Sequence, residues 1–286
     1  MSTTNGTTTG SATTTRRSLA AFFGEGTQAG GAAASERETL ERVEELLTGL
    51  EDGTVRAATR EVDGTWRTHA WVKRGILAAF RHSETVEMDW PGGAVDRSLV
   101  PARHLGLADG VRVVPGGTSV RRGAHLAPGV VVMPPSYLNV GARVGAGSMV
   151  DSHVLVGSCA QVGEGVHLST AVQLGGVLEP VGARPVVVED GVFVGAQCGL
   201  YEGVVVRSGA VLAPGVTLTS GTTVYDLVEQ REGRGEVPAG AVVVPGSRPA
   251  RGDYADVLGL SLYAPVIVKY RDASTDAATV LEDALR

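Results

Sequence analysis

From about residue 110 onward, aliphatic residues recur at every sixth position of the chain. The series runs unbroken from Val114 to Leu174, and it resumes from Val188 to Val224. A period of six differs from the two-residue period of a half-buried strand and from the 3.6-residue period of a helix. It therefore predicts a repeating unit made of one short strand and one corner.

Three such units close one triangular coil, so each inward aliphatic residue stacks on the residue 18 positions later, one strand spacing of about 4.8 Å away. Four residues after each aliphatic position the side chain must also fit inside the coil. Small residues occupy many of these positions: Thr118, Ala124, Ser136, Ala142, Ser148 and Ala160. We predict a mainly β fold, a left-handed parallel β-helix of hexapeptide repeats, whereas an antiparallel sandwich would show period two.

The repeats divide the chain into four predicted parts. The β-helix spans 110–245, and because 14 residues separate Leu174 from Val188, a loop excursion leaves it at 175–185. A small N-terminal α/β domain spans 35–109, with a capping box at Ser35 to Glu38, a hairpin at Asp63-Gly64 and a helix over 70–81. Residues 1–34 are predicted to be a disordered low-complexity tail, and 246–286 form a C-terminal segment.

Composition adds limits on partners and location. Forty glycines suit a fold with frequent corners, and aromatic residues make up only 5% of the chain. The net charge of −6 without a basic run argues against nucleic acid as a partner. Cys159, at a position predicted to face the core, and Cys198 are too few for a disulfide framework, so a cytoplasmic location is expected. The apolar stretch after Arg16-Arg17 is too short for an export signal or a membrane span.

Histidine spacing argues against a metal enzyme. His125, His153 and His167 are separated by 28 and 14 residues, and neither spacing is the multiple of 18 that stacks side chains on one face. No metal site is predicted.

Several multi-residue motifs follow one another along the chain: Met149-Val150-Asp151, Gly157-Ser158-Cys159, Gly175-Gly176-Val177-Leu178-Glu179-Pro180 and Val237-Pro238-Ala239-Gly240. Together, from about residue 36 to Lys269, they resemble the tetrahydrodipicolinate N-succinyltransferase family. The resemblance implies a homotrimer with sites between subunits and an amino-dicarboxylate acceptor. It also implies an acyl-CoA co-substrate, succinyl-CoA or acetyl-CoA, with no permanently bound cofactor.

The resemblance also suggests roles for particular residues. Asp151 matches the family's essential aspartate, although an aspartate at a corner can equally bond its own backbone. Arg112 matches an arginine that binds an acceptor carboxylate, a role that suits its bidentate fork. Gly176 and Lys269 match positions near coenzyme A.

One stretch departs from the family. Where the family reads Gly-Ala-Arg-Ser-Glu-Val-Val-Glu-Gly, this chain has Gly199 in place of an essential glutamate, Gln197 in place of the arginine and Cys198 in place of the serine. Thr170, Ala171 and Gln173 replace family glycines. We expect six residues to line the acceptor site: Thr170, Gln173, Gln197, Cys198, Gly199 and Glu202.

These departures favour an N-acyltransferase with a rewritten acceptor site, acting on a small amino acid or amino-dicarboxylate in specialised metabolism. Acyl transfer needs a neutral amine and a proton acceptor. The missing glutamate would be replaced by Asp151, His153 or Glu202, or made unnecessary by an acceptor amine that is neutral at pH 7. Two alternatives stay open. One is a tetrahydrodipicolinate N-succinyltransferase of lysine biosynthesis, and the other is a non-catalytic trimer that binds coenzyme A.

Overall fold

A computed structural model of the chain describes residues 8–24 and 34–271. Its largest part is a three-sided prism of short parallel strands. The first face contains Arg112–Val113, Val131–Val132, Met149–Val150, His167–Leu168, Phe193–Val194, Val211–Leu212 and Ala241–Pro249. The second face contains Ser119–Val120, Tyr137–Leu138, Leu155–Val156, Gln173–Leu174, Gly199–Leu200 and Thr217–Leu218. The third face contains His125–Leu126, Arg143–Val144, Gln161–Val162, Val187–Val188, Val205–Val206 and Glu236–Val237.

The strand register confirms the period of six. Val144 pairs with Leu126 and with Val162, each 18 positions away, and Val162 then pairs with Val188 across the excursion. The inward aliphatic and small side chains form one closed core. The fold is therefore the predicted left-handed parallel β-helix. Its start differs by one residue, because Val113 rather than Val114 pairs with Val132, and two glycines lengthen the corner that follows.

The N-terminal head combines helices with two antiparallel hairpins. Its elements are the helices Glu36–Glu51 and Ala70–His82, the 3₁₀ turn Leu107–Asp109, and the strand pairs Ala58–Arg60 with Trp66–Thr68 and Thr85–Met88 with Ala94–Arg97. The predicted capping residue is confirmed, because the Ser35 hydroxyl accepts a hydrogen bond from the Glu38 backbone amide at 3.2 Å. The hairpin at Asp63-Gly64 and the helix that begins at Ala70 are also found.

Part of the predicted disordered tail is ordered, which corrects the expectation for 1–34. Residues Thr8–Phe22 form a helix, and Leu19 and Phe23 are buried against the head. Gly75 makes this contact close, because a Cβ there would lie 3.2 Å from the Phe23 ring. The order therefore comes from tertiary packing of two apolar side chains, which composition does not reveal. Residues 1–7 and 25–33 lie outside the described part.

The head is joined to the prism by apolar and polar contacts. Cys159 is buried as predicted, but it packs in the head's apolar cluster with Val140 rather than inside the prism. Lys73 is fully buried and its Nζ donates to the carbonyl oxygen of Ala183 at 2.5 Å, which ties the head to the excursion. Burial lowers the pKa of Lys73.

The C-terminal part extends one end of the prism. Thr223–Asp226 pairs with Arg231–Arg234, and Ala241–Pro249 pairs with Ser261–Tyr270 around the short helix Asp253–Leu258. Residues 272–286 of the predicted C-terminal segment lie outside the described part. Among the described helices, none is both long and apolar enough to cross a membrane.

Candidate active site

The prism has three edges, each a stack of four-residue corners. The first edge joins the first face to the second, and it consists of 133–136, 151–154, 169–172, 195–198 and 213–216. The second edge joins the second face to the third, and it consists of 121–124, 139–142, 157–160 and 201–204, with the excursion between the last two. The third edge joins the third face to the first, and it consists of 127–130, 145–148, 163–166, 189–192 and 207–210.

Backbone conformation distinguishes the first edge from the third. At the third position of every corner of the third edge, φ is positive, and the residue there is glycine five times in succession: Gly129, Gly147, Gly165, Gly191 and Gly209. The first edge instead has His153, Ala171 and Gln197, with φ of 62°, 61° and 60°. A non-glycine residue in this region costs roughly 1–2 kcal/mol, and such residues cluster at functional sites. Cys159 and Glu202 on the second edge also have positive φ, but the first edge has three such residues on consecutive coils.

Asp151 lies on this edge as the first corner residue after the strand Met149–Val150. Its Oδ2 accepts a hydrogen bond from the Thr170 hydroxyl at 2.9 Å, and its Oδ1 accepts one from the Ser152 backbone amide at 2.7 Å. The carboxylate is half-buried, so one part remains open to solvent. Two donors on adjacent coils fix its orientation, and the structure brings Asp151 and Thr170 together.

Sequence reasoning missed a neighbour of this pair, Ser169. It follows Asp151 by 18 positions and therefore occupies the same corner place one coil later. Ser169 is 8% exposed, and within the described residues its hydroxyl has no hydrogen-bond partner. The 18-residue spacing itself was the signal that would have identified it. A buried hydroxyl without a partner beside an oriented carboxylate is available to bind a ligand.

Gln197 and Cys198 follow on the same edge but point in different directions. Gln197 is exposed, and its backbone amide donates to the Thr170 carbonyl oxygen at 2.9 Å. Cys198 is fully buried in the prism core, and its Sγ donates to the Ala213 carbonyl oxygen at 3.2 Å. Burial raises the pKa of the Cys198 thiol to about 11, so it is protonated at neutral pH. The expectation that Cys198 contacts substrate is therefore wrong, because its side chain faces the interior.

Gly199 is covered by the side chain of Tyr201. The ring of Tyr201 lies against both Gly175 and Gly199, so that a Cβ on Gly199 would be only 2.6 Å from Tyr201 Cε2 and 2.9 Å from its hydroxyl oxygen. The family carries valine at the position of Tyr201. A large residue two positions along the chain thus fills the space above the glycine, and Tyr201 presents the surface at this point.

Gln173 supports the backbone of the first edge. Its Nε2 donates to the carbonyl oxygens of His153, Ala171 and Val172 at 3.1–3.3 Å. All three acceptors belong to corners of that edge, and two of these residues have positive φ. The amide of Gln173 therefore holds the strained corners in place.

The other predicted site residues lie elsewhere in the chain. Glu202 is on the second edge, where its carboxylate accepts a hydrogen bond from Ser220 at 2.8 Å, and Gly176 is the second residue of the excursion. Arg112 and Lys269 occupy opposite ends of one outward row of the first face. At about 4.8 Å per strand, Arg112 and Asp151 are separated by roughly 10 Å along the prism. One chain therefore brings together only the first-edge residues. Among residues 8–24 and 34–271, no three metal-ligating side chains converge.

Comparisons with known proteins agree with this architecture. A model described as the N-terminal part of tetrahydrodipicolinate N-succinyltransferase matches residues 18–82, and one described as the hexapeptide repeat of succinyl-transferase matches 185–220. The chain is 43% identical over 262 residues to the 2,3,4,5-tetrahydropyridine-2,6-dicarboxylate N-succinyltransferase of Acinetobacter baylyi, covering 89% of this chain and 92% of that protein. It is 44% identical over 251 residues to the protein of the same name from Polynucleobacter asymbioticus, covering 85% and 88%. The chain therefore belongs to the tetrahydrodipicolinate N-succinyltransferase family of coenzyme A-dependent acyltransferases.

Proposed function

We propose that this protein transfers the succinyl group of succinyl-CoA to tetrahydrodipicolinate, as the names of its relatives describe for them. The observation that carries the proposal is the identity of more than two-fifths along nearly the full length of those relatives, combined with Asp151 oriented by Thr170. This favours the lysine-pathway alternative over a new acceptor in specialised metabolism. The departures at Gly199 and Gln197 change local packing but leave Asp151 and its partner in place.

Tetrahydrodipicolinate is a cyclic imine whose nitrogen carries no hydrogen, so in the proposed reaction water first adds across its carbon–nitrogen double bond and leaves an N–H. This nitrogen then attacks the thioester carbonyl carbon. A carbon–nitrogen bond forms, the carbon–sulfur bond breaks, and coenzyme A leaves as the thiol after it gains the proton that the nitrogen loses. Asp151 accepts that proton or a hydrogen bond from the nitrogen, and Thr170 holds the carboxylate in the required orientation. The Ser169 hydroxyl is a candidate donor to the oxyanion that develops on the carbonyl oxygen.

A homotrimer is part of the same proposal. Arg112 and Asp151 lie two strand spacings apart along one prism, and a neighbouring prism would bring a second set of faces to the first edge. Gly176 and Lys269 are proposed as contacts for coenzyme A, and Arg112 for an acceptor carboxylate. A cytoplasmic location also belongs to the proposal, because both thiols are free.

The test is thiol release by the purified protein with succinyl-CoA and tetrahydrodipicolinate. We expect turnover, and we expect Asp151→Asn to lower kcat by about 10²–10⁴-fold, the range for loss of a positioned general base. Asp52→Asn is a matched control, because Asp52 also accepts bonds from a backbone amide and a threonine hydroxyl, those of Thr54 at 2.8 and 2.6 Å, but lies in the head. That control should retain full activity.

Parallel reactions distinguish the alternatives. Acetyl-CoA replaces succinyl-CoA in one series, and a panel of amino acids replaces tetrahydrodipicolinate in another. Turnover only with a different amino acid would support the rewritten acceptor site and refute the proposal. Coenzyme A binding without thiol release in any reaction would identify a non-catalytic protein.

A further inference from the structure

A separate cavity lies between the head and the third face of the prism. It has a volume of about 220 Å³, and it is bounded by the first head hairpin on one side and by third-face residues on the other. The side chains that matter for its chemistry are Arg56, Trp66, Arg143, Gln161 and Glu164. None of them belongs to the first edge, where the acyl transfer is proposed.

Two residues that line this cavity each have a buried polar atom without a partner, and these two atoms have opposite hydrogen-bonding character. Arg143 Nη1 is a donor and Gln161 Oε1 is an acceptor, and neither has a partner within the described residues. Gln161 is 3% exposed. Such atoms are costly to bury, at about 1–3 kcal/mol for each unsatisfied group.

The orientation of the Gln161 amide is fixed by its surroundings. Its nitrogen end faces three backbone carbonyl oxygens, those of Cys159 at 2.9 Å and of Gly141 and Ala160 at 3.3 Å. An oxygen in that place would meet three acceptors, so the amide oxygen must be the end without a partner. Gln161, which lines the cavity, therefore has a true acceptor without a donor.

The cavity also contains guanidinium groups that are not neutralised by contact. Within the described residues, Arg56 and Arg143 have no ion pair, and each has a lowered pKa, caused first by burial. The pKa of Arg143 falls to about 10, with Arg56 as the second cause. Glu189 does not pair with them, because it accepts bonds from Trp66, Arg207 and Ser208. Glu164 is exposed and acts on both arginines from a distance, and Asp190, which also lines the cavity, acts on Arg56.

A ligand that satisfies these groups needs an anionic acceptor at one end and a cationic donor at the other. We propose that this cavity binds a small zwitterionic amino acid at the junction of head and prism. Its carboxylate bonds Arg143 and Arg56, and its ammonium donates to Gln161 Oε1 and faces the carboxylate of Glu164. Acetate would leave Gln161 without a donor, and a simple amine would leave the guanidinium groups without an acceptor. Because both domains contribute, binding would also hold the head against the prism.

Calorimetric titration of the full chain tests this directly. The probes are L-alanine, sodium acetate, ethylammonium chloride and sodium phosphate, and the emission of Trp66 gives a second readout because its ring lines the cavity. We expect L-alanine to bind at least tenfold more tightly than acetate or ethylammonium. Arg143→Met should weaken alanine binding at least tenfold, and Arg56→Met gives the same test if the first variant fails to fold. Arg37→Met, an exposed arginine paired with Glu41 on a head helix, should leave binding unchanged.

Three outcomes would overturn the proposal. They are acetate or phosphate binding as tightly as L-alanine, no response to L-alanine at millimolar concentration, and alanine binding that survives the loss of both arginines. None of these results depends on turnover, so they leave the proposed acyl transfer untouched.

Discussion

The contact between Tyr201 and Gly199 leads to a quantitative prediction. A methyl group on Gly199 would lie 2.6 Å from Tyr201 Cε2 and 3.1 Å from Cζ, whereas carbon atoms pack at about 3.5–4.0 Å. The shortfall is about 1 Å, so the ring must leave its place. We therefore expect Gly199→Ala to lower the free energy of unfolding by about 1–3 kcal/mol, the usual cost of overpacking.

A double-mutant cycle isolates this clash. Tyr201→Val removes the ring, so Gly199→Ala should cost little in its presence, and the coupling between the two positions should be about 1–2 kcal/mol. Urea unfolding of the four proteins gives these values. Gly221→Ala is the control, because a Cβ there meets no atom within 4 Å. Additive effects of the two substitutions would show that the ring does not rest on Gly199.

The same two positions determine whether the family's glutamate can be restored at residue 199. Gly199→Glu alone places a longer side chain against the ring and tests packing rather than chemistry. The double variant Gly199→Glu, Tyr201→Val matches the family at both positions. We expect thiol release with tetrahydrodipicolinate to be higher in the double variant than in Gly199→Glu, and equal rates would mean that Tyr201 does not obstruct the glutamate.

Three further predictions concern titration, thiols and backbone strain. Burial, with Arg16 and Arg67, lowers the pKa of His69 to about 4 from 6.5, so the unfolded chain binds the proton first and stability falls as pH drops from 6.5 to 4. The loss in unfolding free energy over this pH range is at most about 3 kcal/mol. Urea unfolding should show a smaller loss for His69→Gln than for the wild type. Iodoacetamide should label neither Cys159 nor Cys198 in the native protein at pH 8, because burial raises their pKa values to about 12 and 11, and mass spectrometry should find both labelled after unfolding. Gln197→Gly should raise the free energy of unfolding by about 1 kcal/mol, because φ there is 60°, and should raise KM for the acceptor.

Each of these has its own contradicting result. Equal pH dependence of wild type and His69→Gln would mean that folding does not lower the pKa of His69. Labelling of Cys198 without unfolding would mean that the prism opens. Ala171→Gly is the control for Gln197→Gly, since its φ is 61°. If both substitutions stabilise the protein and neither changes KM, the Gln197 side chain does not contact the acceptor.

The prism was predictable because its sequence constraint is local and repeated. A coil closes only if every sixth side chain is aliphatic, so the strands of all three faces and the excursion follow from the spacing alone. The helix Thr8–Phe22 was not predictable, because its order depends on Leu19 and Phe23 reaching a pocket beside Gly75. That contact joins distant parts of the chain and leaves no periodic signal.

The candidate site was predictable only in part. The motif around Asp151 identified the carboxylate, but it did not show which way the neighbouring side chains point, because that depends on how the coils stack. Cys198 and Gly199 directly follow Gln197 in the sequence, yet Cys198 faces the core and Gly199 lies under Tyr201. Ser169 was missed because its importance lies in stacking one coil beyond Asp151. Contacts between coils, rather than neighbours in sequence, determine which side chains meet.

We propose that succinyl transfer by this chain depends on the first edge. Mass spectrometry of a reaction containing the protein, succinyl-CoA and tetrahydrodipicolinate tests this dependence. We predict N-succinylated acceptor and free coenzyme A in equal amounts with the wild type and with Asp52→Asn, and almost none with Asp151→Asn. Absence of the succinylated acceptor with the wild type, or undiminished product with Asp151→Asn, would refute the proposal.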